Sequence, residues 1–153
     1  MSHWRDAVSG REVVVLDAES TRDWPRAPAW QGAKFCALLL AERLVDPEPL
    51  LDRALGQGLV FASAWGPGCE LVEDSFDEVI ARQAEMETPD LAILTSSHPE
   101  ESIEETLEFF LEAVTPSRAH VAACTTWVVF PVGATCRARV EAALERRAAR
   151  RLP

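Results

Sequence analysis

Apolar and polar positions follow two regimes along the chain, continuous apolar runs and stretches of helical period, and their order predicts the architecture. EVVVLDA (12–18) is a β-branched run, and KFCALLLAE (34–42) is an unbroken apolar run, the pattern of a strand buried on both faces. LVFASAW (59–65), LAILTS (91–96) and CTTWVVFPVG (124–133) read as further strands. Pro131 lacks a ladder N–H and predicts that the last of them ends near a sheet edge. Between the runs, side chains of one face return every three or four positions. Leu50, Leu51, Ala54 and Leu55 mark a helix within 46–58, and Phe76, Val79, Ile80, Gln83 and Met86 mark a second. Ile103, Leu107, Phe110, Leu111 and Val114 mark a third over 99–114, and Val140, Ala143, Leu144 and Ala148 a fourth.

The punctuation agrees with this division. Asp46 suits an N-cap with Pro47 at the first helical position, and Gly56 or Gly58 a helix end. Ser75-x-x-Glu78 and Ser97-x-x-Glu100 read as capping boxes, Thr135 as the cap of the last helix, and Thr115–Pro116 as a stop. ESTRDWPRAPAWQG (19–32) has no period and reads as a loop pinned by Trp24 and Trp30. The order β-loop-β-α-β-α-β-α-β-α predicts a single three-layer α/β domain over residues 1–153, a mostly parallel sheet of about five strands flanked by helices. Residues 117–153 supply the final strand and an Arg-rich C-terminal helix. A chain of 153 residues is the right size for one such domain.

Charge adds a strong asymmetry. Of the net −10, residues 34–116 carry four basic and eighteen acidic groups, whereas 117–153 carry seven Arg and two Glu. So negative a middle repels nucleic-acid backbone and attracts basic partners. The tail RARVEAALERRAARR (137–151) is expected to compensate the acidic body and favour its own helix C-terminus rather than touch phosphate. FCALLLA (35–41) is too short to span a bilayer, and MSHWRDAVSG has no apolar h-region, so neither a membrane nor secretion is expected. Cys36, Cys69, Cys124 and Cys136 show no C-x-x-C spacing, which suits reduced thiols in a cytoplasm.

In open α/β sheets, ligands bind beyond the carboxyl ends of the strands. That rule gathers Glu42–Asp46, Trp65–Asp74, Ser96–Glu101 and Pro131–Thr135 on one edge. AWGPGCELVEDSFDEVI (64–80) is the densest of these. Its glycines have the wrong spacing for a phosphate loop or a dinucleotide fingerprint. Gly66-Pro67-Gly68 is a strand-to-helix turn, and the acidic groups after it suit a helix N-terminus without any ligand. Glu70, Glu73, Asp74, Asp77 and Glu78 can also supply oxygens for a divalent cation such as Mg²⁺, given ligands from a second segment. Cys69 near a helix start is a candidate nucleophile or redox-sensing thiol, opposed by its carboxylate neighbours. His98, followed by Glu100 and Glu101, is a candidate general base or metal ligand, or else a solvated helix-start side chain.

FCALLLAE, AWGPGCELVEDSFDEVI and LAILTSSHPEESIEETLEFFLEAVTP together resemble a family of uncharacterised bacterial proteins known only as a domain of unknown function. Its pattern runs W-G-P-x-C-E, D-x-x-D-E, then T-x-x-H-x-x-E-S and a helix carrying F-F. The resemblance covers about 34–116. It implies that Trp65, Gly66, Cys69, Glu70, Asp74, Asp77, Glu78, His98 and Glu101 form a shared feature, without assigning an activity. Two positions depart from the pattern: Glu73 stands where a His precedes the first aspartate, and Ser97 where a Trp often precedes the second-motif His.

Two functions are therefore expected. The first is a non-enzymatic interaction module, an immunity-, antitoxin- or accessory-type protein that binds a basic protein partner and needs no cofactor. The alternative is a small metal-dependent hydrolase or transferase. It would use His98 with Asp74, Asp77 or Glu101, and Trp65, Gly66 and Glu70 would line the site.

Overall fold

The computed structural model describes residues 1–83, 92–147 and 150–151; Met86, Leu91 and Ala148 of the predicted elements lie outside them. The apolar runs become strands: β1 Ser2–Arg5, β2 Glu12–Val15, β3 Lys34–Ala41, β4 Leu59–Trp65, β5 Leu94–His98, β6 Cys124–Val132 and β7 Arg150–Arg151. The helices are α1 Glu48–Gly56, α2 Cys69–Gln83, α3 Ile103–Glu108, which continues as a π-helical turn over Phe109–Ala113, and α4 Ala134–Arg146. One sheet runs in the order β5-β4-β3-β6-β2-β1-β7. Its β5-β4-β3-β6-β2 portion is parallel, and β1 and β7 add antiparallel strands.

Period-two alternation on β3 feeds two cores. Phe35, Ala37 and Leu39 join the core under α1 and α2; Cys36, Leu38 and Leu40 join the core under α3 and α4. The aperiodic loop closes the first face as expected. Trp24 and Trp30 are buried with ring centroids 6.0 Å apart, and the Trp24 indole donates to Gln57 Oε1 at 2.7 Å.

The ends of several elements differ from the sequence pattern. α2 begins at Cys69, so Ser75 is interior and donates to the Leu71 carbonyl instead of capping. The Gly-Pro-Gly turn itself starts the helix: Gly66 O accepts from Cys69 N–H, and Gly68 O from Val72 N–H. The capping box of α3 is Ser102 with Glu105, not Ser97 with Glu100. Gly133 at φ 90° precedes α4, and Thr135 lies inside that helix. β6 is not an edge strand, since β3 and β2 flank it. Pro131 is tolerated because β2 has already ended there. It falls between two surviving links, Leu16 N–H to Val129 O and Gly133 N–H to Ala18 O. β5 is the terminal strand and only half-buried, with Leu94 39% exposed. β1 and β7 carry too little apolar patterning to be read as strands.

Asp6, 0% exposed, is tied to both ends of the fold. It accepts from Ser9 N–H at 2.8 Å and Ser9 Oγ at 2.7 Å, and faces Arg147 at 3.3 Å. Burial alone would raise its pKa, but the Ser9 and Arg147 partners overcome this and hold it below the ordinary value. Such a carboxylate adds stability that is complete above its unfolded pKa of about 3.9 and is lost as pH falls through the lower folded value. Asp6→Asn should cost about 3 kcal/mol at pH 7. That difference should shrink in urea titrations taken progressively below about pH 4.

Gly66 has φ +109°, and a Cβ there would lie 1.9 Å from the Ala41 carbonyl oxygen. Gly10, at φ +71°, has nothing within 4 Å of the same position. Gly66→Ala should therefore cost more than about 2 kcal/mol in denaturant unfolding, and Gly10→Ala about 1 kcal/mol.

Candidate functional site

The residues singled out from the sequence meet at the carboxyl ends of β4 and β5, but on two faces. Period two along β5 sends Thr95 and Ser97 toward α2, and Ser96 and His98 toward α3. On the α2 side, Thr95 Oγ1 donates to Asp77 Oδ1 at 2.7 Å, and Ser97 Oγ donates to Glu73. On the α3 side, the His98 ring, 5% exposed, lies 4.7 Å from Phe109. Its Nδ1 is 3.5 Å from Glu101 Oε1, and its Nε2 is 3.3 Å from Ser96 Oγ, which in turn lies 2.8 Å from Ser63 Oγ. The side-chain partners of His98 are thus Ser96, Glu101 and Phe109, not the α2 carboxylates.

Trp65 bridges β4 to the loop before α3, donating from its indole to the Glu101 carbonyl at 2.7 Å. The Arg139 guanidinium lies 5.5 Å from its ring. Gly66 follows Trp65 and admits the β3 backbone, as described above. Cys69 is buried at the first position of α2. Burial, aided by the Glu70 charge, pushes its thiol up, although the backbone N–H groups of His98, Cys69 and Glu70 pull the other way. His98 and Cys69 therefore meet through the His98 backbone, with the imidazole turned to α3.

This geometry bears directly on chemistry. A Glu101–His98–Ser96 chain has the order of a proton relay, with links of 3.5 and 3.3 Å. The ring is packed against Phe109, and Ser63 is fully buried. The arrangement ties down the end of an edge strand. The metal-dependent reading joined His98 with Asp74, Asp77 or Glu101; Glu101 lies beside the ring at 3.5 Å, whereas Asp77 turns to Thr95 on the α2 face of the sheet. Among the described residues, no three His, Cys, Asp or Glu side chains gather to hold a metal ion.

A separate cavity of about 260 Å³ opens at the carboxyl ends of β3 and β6, lined by Glu19, Glu42, Arg43, Gly133, Thr135 and Cys136 among others. The helices after these two neighbouring strands, α1 and α4, pack on opposite faces, so the crevice is the switch point of the sheet. Glu42 is held there by Arg139 at 2.8 Å.

The carboxylates around β5 are the largest feature of this region. Glu70, Asp74, Asp77 and Glu78 are exposed on α2, and Glu100, Glu101, Glu105 and Glu108 on and before α3. Arg146 pairs with Glu104 and Arg147 with Glu112, on the side of α3 that meets α4. Apart from Glu101 with His98, none of the eight makes an ion pair among the described residues.

Residues 11–147 match a domain of unknown function (DUF7684). The chain belongs to that family. Neither the curated proteins nor the solved structures contain a match to it. In this DUF7684 chain, the W-G-P-x-C-E and T-x-x-H-x-x-E-S segments both lie within the matched span and share one sheet edge. No helix among the described residues is long and apolar enough to cross a membrane.

Sequence reasoning named Glu73 as a candidate cation ligand and Ser97 as a capping residue, but passed over Ser63, Thr95 and Ser96, which hydrogen-bond here. The signal for them was alternation in TSSH, which splits four polar side chains between two faces. Ser96→Ala removes a partner from both the Ser63 hydroxyl and His98 Nε2, and should cost about 1–3 kcal/mol in urea unfolding. Thr95→Ala, on the more open α2 side, should cost about 1 kcal/mol or less.

Proposed function

We propose that this protein is a non-enzymatic interaction module that holds a basic protein partner across the β5 edge, in an accessory or immunity-type role. The observation that carries the reading is the set of exposed carboxylates on both sides of a terminal strand. They line α2 on one face and α3 on the other, without Arg or Lys partners among the described residues. An extended basic segment laid along β5 would find backbone groups in the middle and acidic side chains on either flank. A second copy of the chain would bring like charges together at the same place, so charge selects a different, basic partner. The half-exposed Leu94 and Phe109, each 39% exposed, offer apolar contact beside the charges.

The test is affinity capture from the native host at about 50 mM salt, with hydrogen exchange on the recovered complex. A stoichiometric basic protein is expected, released by about 0.5 M salt, where surface charges are screened within a few ångströms. A variant combining Asp74→Lys, Asp77→Lys, Glu105→Lys and Glu108→Lys should lose at least about tenfold in affinity. The amides of 94–98 should gain protection in the wild-type complex. Capture unchanged by the four reversals, or protection confined to the β1–β7 end of the sheet, would overturn the reading. So would recovery of no stoichiometric partner.

A further inference from the structure

Cys36 on β3 and Cys124 at the start of β6 stand on one face of adjacent strands, with their sulfurs 3.5 Å apart. We propose that this pair is a dithiol modification site which a hydroperoxide converts to an intramolecular disulfide, cross-linking the two central strands. The inference stands apart from the interaction reading and uses none of its residues.

Four observations support it. All four cysteines are free thiols, but only these two are in sulfur–sulfur contact among the described residues. Cys69 takes the His98 N–H, and Cys136 donates to the Leu40 carbonyl at 3.6 Å. Second, a bond of about 2.05 Å needs each sulfur to move by less than about 1 Å. Third, the ladder is already irregular at this point. Lys34 pairs with Cys124 and Phe35 with Thr126, so Thr125 is an extra residue between Cys124 and the positions facing Cys36. Fourth, Arg11 places a cation near both sulfurs, 4.1 Å from the Trp127 ring centre and donating to the Phe110 carbonyl.

The two sulfurs have different roles. Cys124 is 7% exposed and follows the exposed turn Val121–Ala123, whereas Cys36 is 0% exposed. The hydrogen bond shared with Cys36 holds the Cys124 thiol below its ordinary value, with the Arg11 charge assisting against burial. The same bond, together with burial, pushes Cys36 up. Cys124 is therefore the attacking thiolate and Cys36 the resolving thiol.

In the first step the Cys124 thiolate attacks the terminal peroxide oxygen. An S–O bond forms and the O–O bond breaks. The departing alkoxide, or hydroxide from hydrogen peroxide, takes up a proton. Cys124 is now a sulfenic acid. In the second step the Cys36 sulfur attacks the Cys124 sulfur, the S–O bond breaks, and the Cys36 proton leaves with hydroxide as water. Two thiols lose two electrons in all, and the peroxide gains them to become an alcohol, or water, plus one water. A dithiol reductant reverses the change by exchange.

The test treats the folded full-length chain with stoichiometric hydrogen peroxide, followed by intact mass, thiol titration and peptide mapping without reductant. Titratable thiols, counted after denaturation without reductant, should fall from four to two. The peptides holding Cys36 and Cys124 should be joined, and dithiothreitol should separate them. Cys36→Ser should instead trap Cys124 as a sulfenic acid that dimedone labels. Cys124→Ser should leave Cys36 unmodified. Cys69→Ser and Cys136→Ser should still form the bond. In urea the preference should vanish, with all four thiols reacting alike. Oxidation of Cys69 or Cys136 ahead of the pair would overturn the proposal. So would a disulfide between chains, or persistence of four thiols in the folded protein. If Cys36→Ser fails to fold, Cys36→Ala with the same labelling decides the order of attack.

Discussion

The eight-residue ladder between β3 and β6 is the constraint on which the rest of the structure depends. Both strands are buried on both faces, so they accept almost no polar side chain and must be covered by two separate layers. Side chains such as Phe35, Leu38, Leu40 and Phe130 are completely buried there, and each contributes about 1.5–3 kcal/mol from burial. The acidic side chains are displaced outward from this axis. Acidic residues then collect where the layers end, on the outer sides of α2 and α3 and around the half-covered strand β5. The location of the candidate interaction surface is thus a by-product of how the centre is packed.

The basic C-terminal helix is best understood as a set of braces. Arg137 reaches Asp17, Arg139 reaches Glu42, Arg146 reaches Glu104, and Arg147 reaches Asp6 and Glu112. Most of these are exposed pairs worth between nothing and about 1 kcal/mol each. Arg147 with Asp6 is the exception, because the carboxylate is wholly buried. The braces neutralise the acidic residues nearest α4 and leave the carboxylates around β5 unmatched. Charge in this protein therefore adds little to the stability of the fold and much to the contrast between its two sheet edges.

Elements whose side chains must be buried were legible in the sequence, since burial imposes a period. β3, β4, β6 and the faces of α1 and α3 follow directly from that rule, as does the pinning of the loop by Trp24 and Trp30. Features set by neighbours in space were not legible. Pro131 looked like an edge residue, yet it sits in a central strand where the adjacent strand has run out. Ser75 fits a cap, but the Gly-Pro-Gly turn had already begun the helix at Cys69. The site was legible in its position and not in its grouping. Both motifs do lie at one edge, but one residue of offset along β5 decides that His98 faces Glu101 while Asp77 faces Thr95. No count along the chain fixes which face a strand turns to which helix.

The pairing of β7 with β1, Trp4 opposite Arg151, has an architectural consequence. It brings the two ends of the described chain side by side, six strand spacings or roughly 29 Å from β5 across the sheet. A domain entered and left at one seam can be spliced into a loop of another polypeptide, or cut and rejoined elsewhere, without pulling its centre apart. Whatever is attached at that seam hangs on the far side from the acidic edge. The fold thus keeps the seam of its two described ends and its acidic edge at opposite margins of one sheet.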